Sequence, residues 1–176
     1  MIEDMGQRVN YRFIERTQKI LEQYDSIALP PEEKYEVTLL LNACVGLLII
    51  CKEQFNDKLP DNAAKLDEIK SCITICRTYD DSSKTVVNEE KTVASICRHL
   101  RNSIAHCNFS FNSSKQVNKK KVITSIIFRD SCKVKYPNKK WKIVEQTFYA
   151  EIEVNTLREF LIDVSKQTVN SAKSTK

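Results

Sequence analysis

One stretch of this chain sets the residue types of proton transfer and anion binding at helical spacing: Arg98, His99, Arg101, Asn102 and His106. An imidazole, with an ordinary pKa of about 6.5, gives or takes a proton near neutral pH. A guanidinium presents a planar fork of donors to an oxyanion. On a wheel of about 100° per residue, Val93, Ile96, Cys97, Leu100 and Ile104 share one arc and predict a helix buried along that side. The other arc carries Ala94, Ser95, Arg98, His99, Arg101, Asn102, Ala105 and His106, and is expected to face away from the core. Asn102 and His106 lie one turn apart, and Arg98 precedes Asn102 by a turn. Ala94, Ser95 and Ala105 are small enough to let a second helix approach this stripe, as in a dimer seam. His99, beside Arg98, is read as a surface or packing histidine.

The elements that must position this helix follow from periodicity. Val9, Phe13, Ile20, Leu21 and Tyr24 recur at helical spacing before Leu29-Pro30-Pro31 breaks the pattern. Pro31 with Glu32 and Glu33 suits the start of a second helix, running to about Phe55. Leu66, Ile69, Ile73 and Cys76 form the apolar stripe of a third, followed by a loop to about Asn88. Asn88, ahead of Glu89 and Glu90, is the expected cap of the fourth helix, which carries the polar stripe. From Asn108 onward the pattern becomes β-type, at Phe109 to Phe111, Val122 to Phe128 and Trp141 to Val154. Thr156-Leu157-Arg158-Glu159 has capping-box spacing, and Leu157, Phe160, Leu161 and Val164 predict a closing helix. The expected fold is mainly α: a helical bundle with a small antiparallel hairpin or sheet at about 109–154, one domain over residues 1–170 and a frayed polar tail at 171–176.

With 176 residues, 41% of them hydrophobic, the chain can bury a core without staples. Two glycines and four prolines are too few for a many-stranded barrel or a Gly-rich nucleotide fold. No secretory leader is readable, and the apolar run from Leu39 to Cys51 falls short of the ~20 residues that span a bilayer, so a cytoplasmic protein without membrane contact is expected. Seven cysteines are then expected to be reduced thiols. Cys72 and Cys76 lie a turn apart with no second Cys or His pair at zinc spacing, so neither metal nor cofactor is expected.

The net charge of +5 is unevenly spread: residues 115–142 hold ten Lys or Arg against one acid, Asp130, so the rest of the chain sums to −4. Lys119, Lys120, Lys121, Lys139 and Lys140, with Trp141 among them, suit phosphate attraction and base stacking. Together with Arg98 they form the expected RNA-binding set.

The segment Arg101-Asn102-Ser103-Ile104-Ala105-His106 resembles the R-x4-H motif, with Asn directly after Arg, of HEPN domains, the higher eukaryote and prokaryote nucleotide-binding group. The β segments and closing helix further resemble plasmid and defence-associated HEPN nucleases with a hairpin after the motif, over about residues 5–168. The resemblance implies a HEPN-type bundle acting as a homodimer and a metal-independent endoribonuclease. Arg101, Asn102 and His106 would be the catalytic residues, and the ribose 2′-hydroxyl of RNA the nucleophile. Toxin-like growth inhibition or antiviral defence, with an antitoxin or regulatory partner, is the implied biology. The competing reading is a non-catalytic HEPN dimer that binds RNA, a nucleotide or a partner protein. Asn108 stands where nucleotidylation-controlled HEPN toxins carry a Tyr, two positions after the His, which argues against that mode of control. Glu36 is one candidate for an acid supporting the Arg, and Asn42, inside an apolar helix, for support behind Asn102 or His106.

Overall fold

The computed structural model describes residues 2–27, 36–55, 59–117, 120–136 and 141–174. In order, the elements are α1 (Ile2–Ser26), α2 (Glu36–Phe55), α3 (Leu66–Cys72), β1 (Ile73–Asp80), β2 (Thr85–Asn88), α4 (Val93–Ala105), β3 (Phe109–Val117), β4 (Lys120–Val134), β5 (Ile143–Glu153) and α5 (Val154–Ser174). The strands join in one antiparallel sheet, ordered β2-β1-β5-β4-β3. The expected mainly α bundle with a small hairpin is therefore corrected, because a five-stranded sheet forms a wall of the core. Ile126, Phe128, Phe148, Ala150 and Ile152 of that wall pack in one cluster with Leu40 and Leu48 of α2, Ile96 and Leu100 of α4, and Phe160 and Leu161 of α5. A second cluster joins α1 to α2 and α5 through Ile14, Leu21, Ala43, Leu47, Val169 and Ala172.

The largest departure is at β1, where a helix was predicted through Cys76. Ile73, Thr74 and Ile75 are β-branched, which favours an extended backbone once tertiary pairing is on offer. The register against β5 slips between Ile73 and Ile75, so that Ile73 and Cys76 are both buried although three residues apart. In a regular strand that spacing would place them on opposite faces. The bulge thus reproduces, in a strand, the apolar spacing of a helix.

The expected loop to Asn88 is a hairpin. The Asp80 carboxylate accepts the backbone N–H groups of Ser82 and Ser83 at 3.0 and 3.1 Å, and Lys84 adopts a left-handed φ of 54°, turning the chain into β2. The Glu89 N–H then bonds the Cys76 carbonyl at 3.0 Å, continuing the ladder past Asn88, so α4 is capped by Thr92 and not by Asn88. At the other end of the chain α5 runs to Ser174, with Ala172 buried in the second cluster. No helix among the described residues is long and apolar enough to cross a membrane.

Phe128 sits fully buried at the centre of the sheet wall. Phe128→Ala is expected to lower unfolding free energy by about 3–5 kcal/mol in urea denaturation. A loss under about 1 kcal/mol would contradict a core built on this sheet.

Candidate functional site

The polar stripe lies on α4, which packs against α2 on one flank and β4 on another. Val93, Ile96, Cys97, Leu100 and Ile104 are buried as the wheel predicts, but Ser95, His99 and Ser103 are buried as well. An outward-facing Ser95 and a surface position for His99 are thus corrected. Two packed flanks leave a narrower exposed strip than a one-sided helix would have. Ser95 closes a capping box: its N–H donates to Thr92 Oγ1 at 3.1 Å, and its Oγ accepts the Thr92 N–H at 3.0 Å. Ala94 and Ala105 remain exposed.

His99 is 0% exposed and is gripped by a cross-strand pair, Asp130 of β4 and Phe148 of β5. Asp130 Oδ2 lies 2.9 Å from His99 Nδ1, and the Phe148 ring stacks on the imidazole at 4.7 Å between centroids and 11° between planes. Immediately beyond, the β4–β5 register slips between Asp130 and Ser131, a bulge of the kind that re-aims a side chain. Asp130 follows the buried Ile126 and Phe128 on the inward face, so an acid occupies a core position. Its oxygens are satisfied there: Oδ2 also accepts Asn102 Nδ2 at 2.9 Å, and Oδ1 accepts the Ser131 N–H at 2.8 Å. Burial pushes the Asp130 carboxyl up, but the bonds from His99 and Asn102 outweigh it and hold the group below the usual carboxylate range.

On the other edge of the imidazole, His99 Nε2 lies 3.1 Å from Glu89 Oε2 and 3.2 Å from Arg98 Nη2, and Arg98 also donates to Glu89. Arg98, one of the expected RNA-binding set, is half-buried and paired with Glu89. The Glu89 carboxylate, the Cys76 sulfur and a His99 ring nitrogen all lie within 4.8 Å of one another.

The motif residues occupy the open end of this arrangement. Arg101 and Asn102 are half-buried, and His106 is exposed as the C-cap of α4. Cys107, at φ 53°, reverses the chain; its N–H bonds the Ile104 carbonyl at 3.0 Å and the Asn108 N–H bonds the Ser103 carbonyl at 2.8 Å. Arg129 N–H then bonds the Asn108 carbonyl at 2.9 Å, tying the helix end to β4. The result is a solvent-facing imidazole one turn from an amide anchored to a buried carboxylate.

Asn42 is not part of it: it is exposed and lines an open groove with Ile20, Tyr24 and Leu39. Glu36 opens α2, and its side chain lies outside the described residues. Lys119, Lys139 and Lys140 also lie outside them, while Lys120 and Lys121 open β4 with side chains outside the description. Trp141 is 79% exposed just before β5.

The family model HEPN pEK499 p136 matches residues 3–174. The chain belongs to the HEPN family. No curated protein and no solved structure matches it. In this HEPN domain Asp130, the one acid of the basic segment 115–142, accepts a hydrogen bond from Asn102 of the motif. The signal was present in the alternation Ile126, Phe128, Asp130, which directs Asp130 inward. Glu89 had no such signal, because its place beside His99 depends on the β1–β2 hairpin.

Asp130→Ala would leave His99 Nδ1 and Asn102 Nδ2 without their acceptor. A loss of about 3–5 kcal/mol is expected in chemical denaturation, the range for breaking a buried charge pair from one side. A change below about 1 kcal/mol would show that Asp130 does not hold the site.

Proposed function

We propose that this HEPN protein is a metal-independent endoribonuclease working as a homodimer, with Arg101, Asn102 and His106 as its catalytic residues. The observation that carries the reading is Asn102 anchored at 2.9 Å to buried Asp130, one helical turn from exposed His106. Such anchoring fixes the end of α4 before substrate arrives, and preorganisation is what electrostatic catalysis requires.

In the proposed reaction the ribose 2′-hydroxyl attacks the adjacent phosphorus while an imidazole accepts its proton. The bond to the 5′-oxygen breaks, and that oxygen leaves with a proton from a second acid. The products are a 2′,3′-cyclic phosphate and a 5′-hydroxyl. Arg101 stabilises charge on the non-bridging oxygens through its donor fork, and Asn102 orients the phosphate. The chain has two histidines, and His99 is enclosed between Asp130 and Glu89. A second exposed imidazole must then come from His106 of another copy, which favours a composite cleft with base and acid divided between chains. Exposed Trp141 offers a stacking surface for a base. Toxin-like or defensive action is the biology this activity would serve.

Purified protein incubated in EDTA with total RNA and with tRNA is expected to cut and to leave cyclic-phosphate ends. His106→Ala should lower the rate by at least about 10²-fold and Arg101→Ala by about 10²–10³-fold, with the fold intact by circular dichroism. Binding without cutting, or cutting that survives His106→Ala, would replace this proposal with a non-catalytic RNA-binding dimer or a different site.

A further inference from the structure

We propose that Cys76, Glu89 and His99 form a binding site for a divalent cation of the zinc class, which competes with the Arg98 guanidinium for Glu89 and His99. The three ligands come from β1, the end of the β1–β2 ladder and α4, so the tertiary fold brings them together. The Glu89 N–H to Cys76 carbonyl bond at 3.0 Å sets Cys76 and Glu89 side by side, and the donor atoms of all three residues fall within 4.8 Å of one another. Cys76 and His99 are buried, and Glu89 is half-buried, so the position is enclosed but reachable from one side.

The surroundings match what a ligating histidine needs. His99 sets Nδ1 2.9 Å from Asp130, and Nε2 3.1 Å from Glu89 and 3.2 Å from Arg98. With Nδ1 donating to Asp130, a cation held between Glu89 and Cys76 would take the Nε2 lone pair. A carboxylate on the far nitrogen is the usual outer support of a metal-bound imidazole, and Asp130 is itself fixed by Asn102 and Ser131. The Phe148 stack holds the ring plane.

Arg98 places positive charge beside two of these groups: its Nη2 donates to Glu89 and lies 3.2 Å from His99 Nε2. Its side chain is 27% exposed, so it has a route to solvent when a cation takes its place. A thiolate, an imidazole and a carboxylate select a borderline-soft ion over magnesium or calcium. Three protein ligands and one water complete a tetrahedral zinc shell. Binding releases the Cys76 thiol proton to solvent as the sulfur–metal bond forms. The site lies on the opposite side of Asp130 and His99 from the motif's open end, so the cation braces α4 and takes no part in the proposed cleavage; the two proposals stand or fall separately.

The test uses cobalt(II) as a spectroscopic reporter. Full-length protein stripped with chelator and titrated with cobalt(II) is expected to take up one equivalent, with a thiolate-to-cobalt charge-transfer band that zinc(II) abolishes by displacement. Cys76→Ser should eliminate the band, Asp130→Asn should weaken affinity by about 10–100-fold, and Arg98→Ala should tighten it by removing the competing cation. Glu89→Gln, which keeps the side-chain shape, should weaken binding with circular dichroism unchanged, covering the case in which Cys76→Ser fails to fold. Absence of the band in the wild-type protein, a band that persists in Cys76→Ser, or weaker binding in Arg98→Ala would overturn the proposal.

Discussion

The structure around the candidate site depends on one buried carboxylate. Asp130 occupies an inward position of β4 where the strand's alternation otherwise places Ile126 and Phe128, and it is stable there because His99, Asn102 and the Ser131 backbone all donate to it. An isolated charge at that depth would cost several kcal/mol. The sheet and α4 are consequently locked in one register: a shift of either by a residue would separate Asp130 from His99 and Asn102 together. The bulge beyond Asp130 and the Phe148 stack serve the same alignment from the β5 side.

This constraint explains why the domain needs a full sheet. A two-stranded hairpin on a helical bundle could carry basic residues, but it would not supply both the Asp130–Phe148 pair and the Glu89 that meets the other edge of His99. Glu89 reaches that edge because β1 and β2 extend the sheet beyond β5. Five strands thus set a carboxylate on each side of one imidazole on α4. The HEPN motif at the end of that helix inherits its rigidity: Asn102 is anchored, and His106 is left in solvent at the C-cap.

Long helices with one apolar stripe were legible in the sequence, as were the three β-type segments after Asn108 and the motif itself. What was hidden depended on contacts distant in sequence. Ile69, Ile73 and Cys76 follow helical spacing, yet the bulge against β5 lets a strand bury both Ile73 and Cys76. Asn88 has the composition of a cap, but Glu89 is drawn into the ladder by the Cys76 carbonyl and Thr92 takes the role. The wheel assigned His99 to the outer arc because one helix in isolation does not reveal that α2 and β4 cover it on two flanks. The motif Arg101, Asn102 and His106 was legible because six consecutive residues carry it; the places of Asp130 and Glu89 beside α4 were not, because they depend on contacts distant in sequence.

The central claim is that this helix end cleaves RNA by using the substrate's own hydroxyl. Its most direct test is an RNA in which one mapped scissile linkage carries a 2′-deoxy sugar, incubated with the protein in EDTA. The account predicts that cutting stops at that linkage and continues at unmodified ones. Cleavage at the 2′-deoxy linkage would contradict it, since the hydroxyl proposed as the nucleophile is missing there and another, such as water, would have attacked.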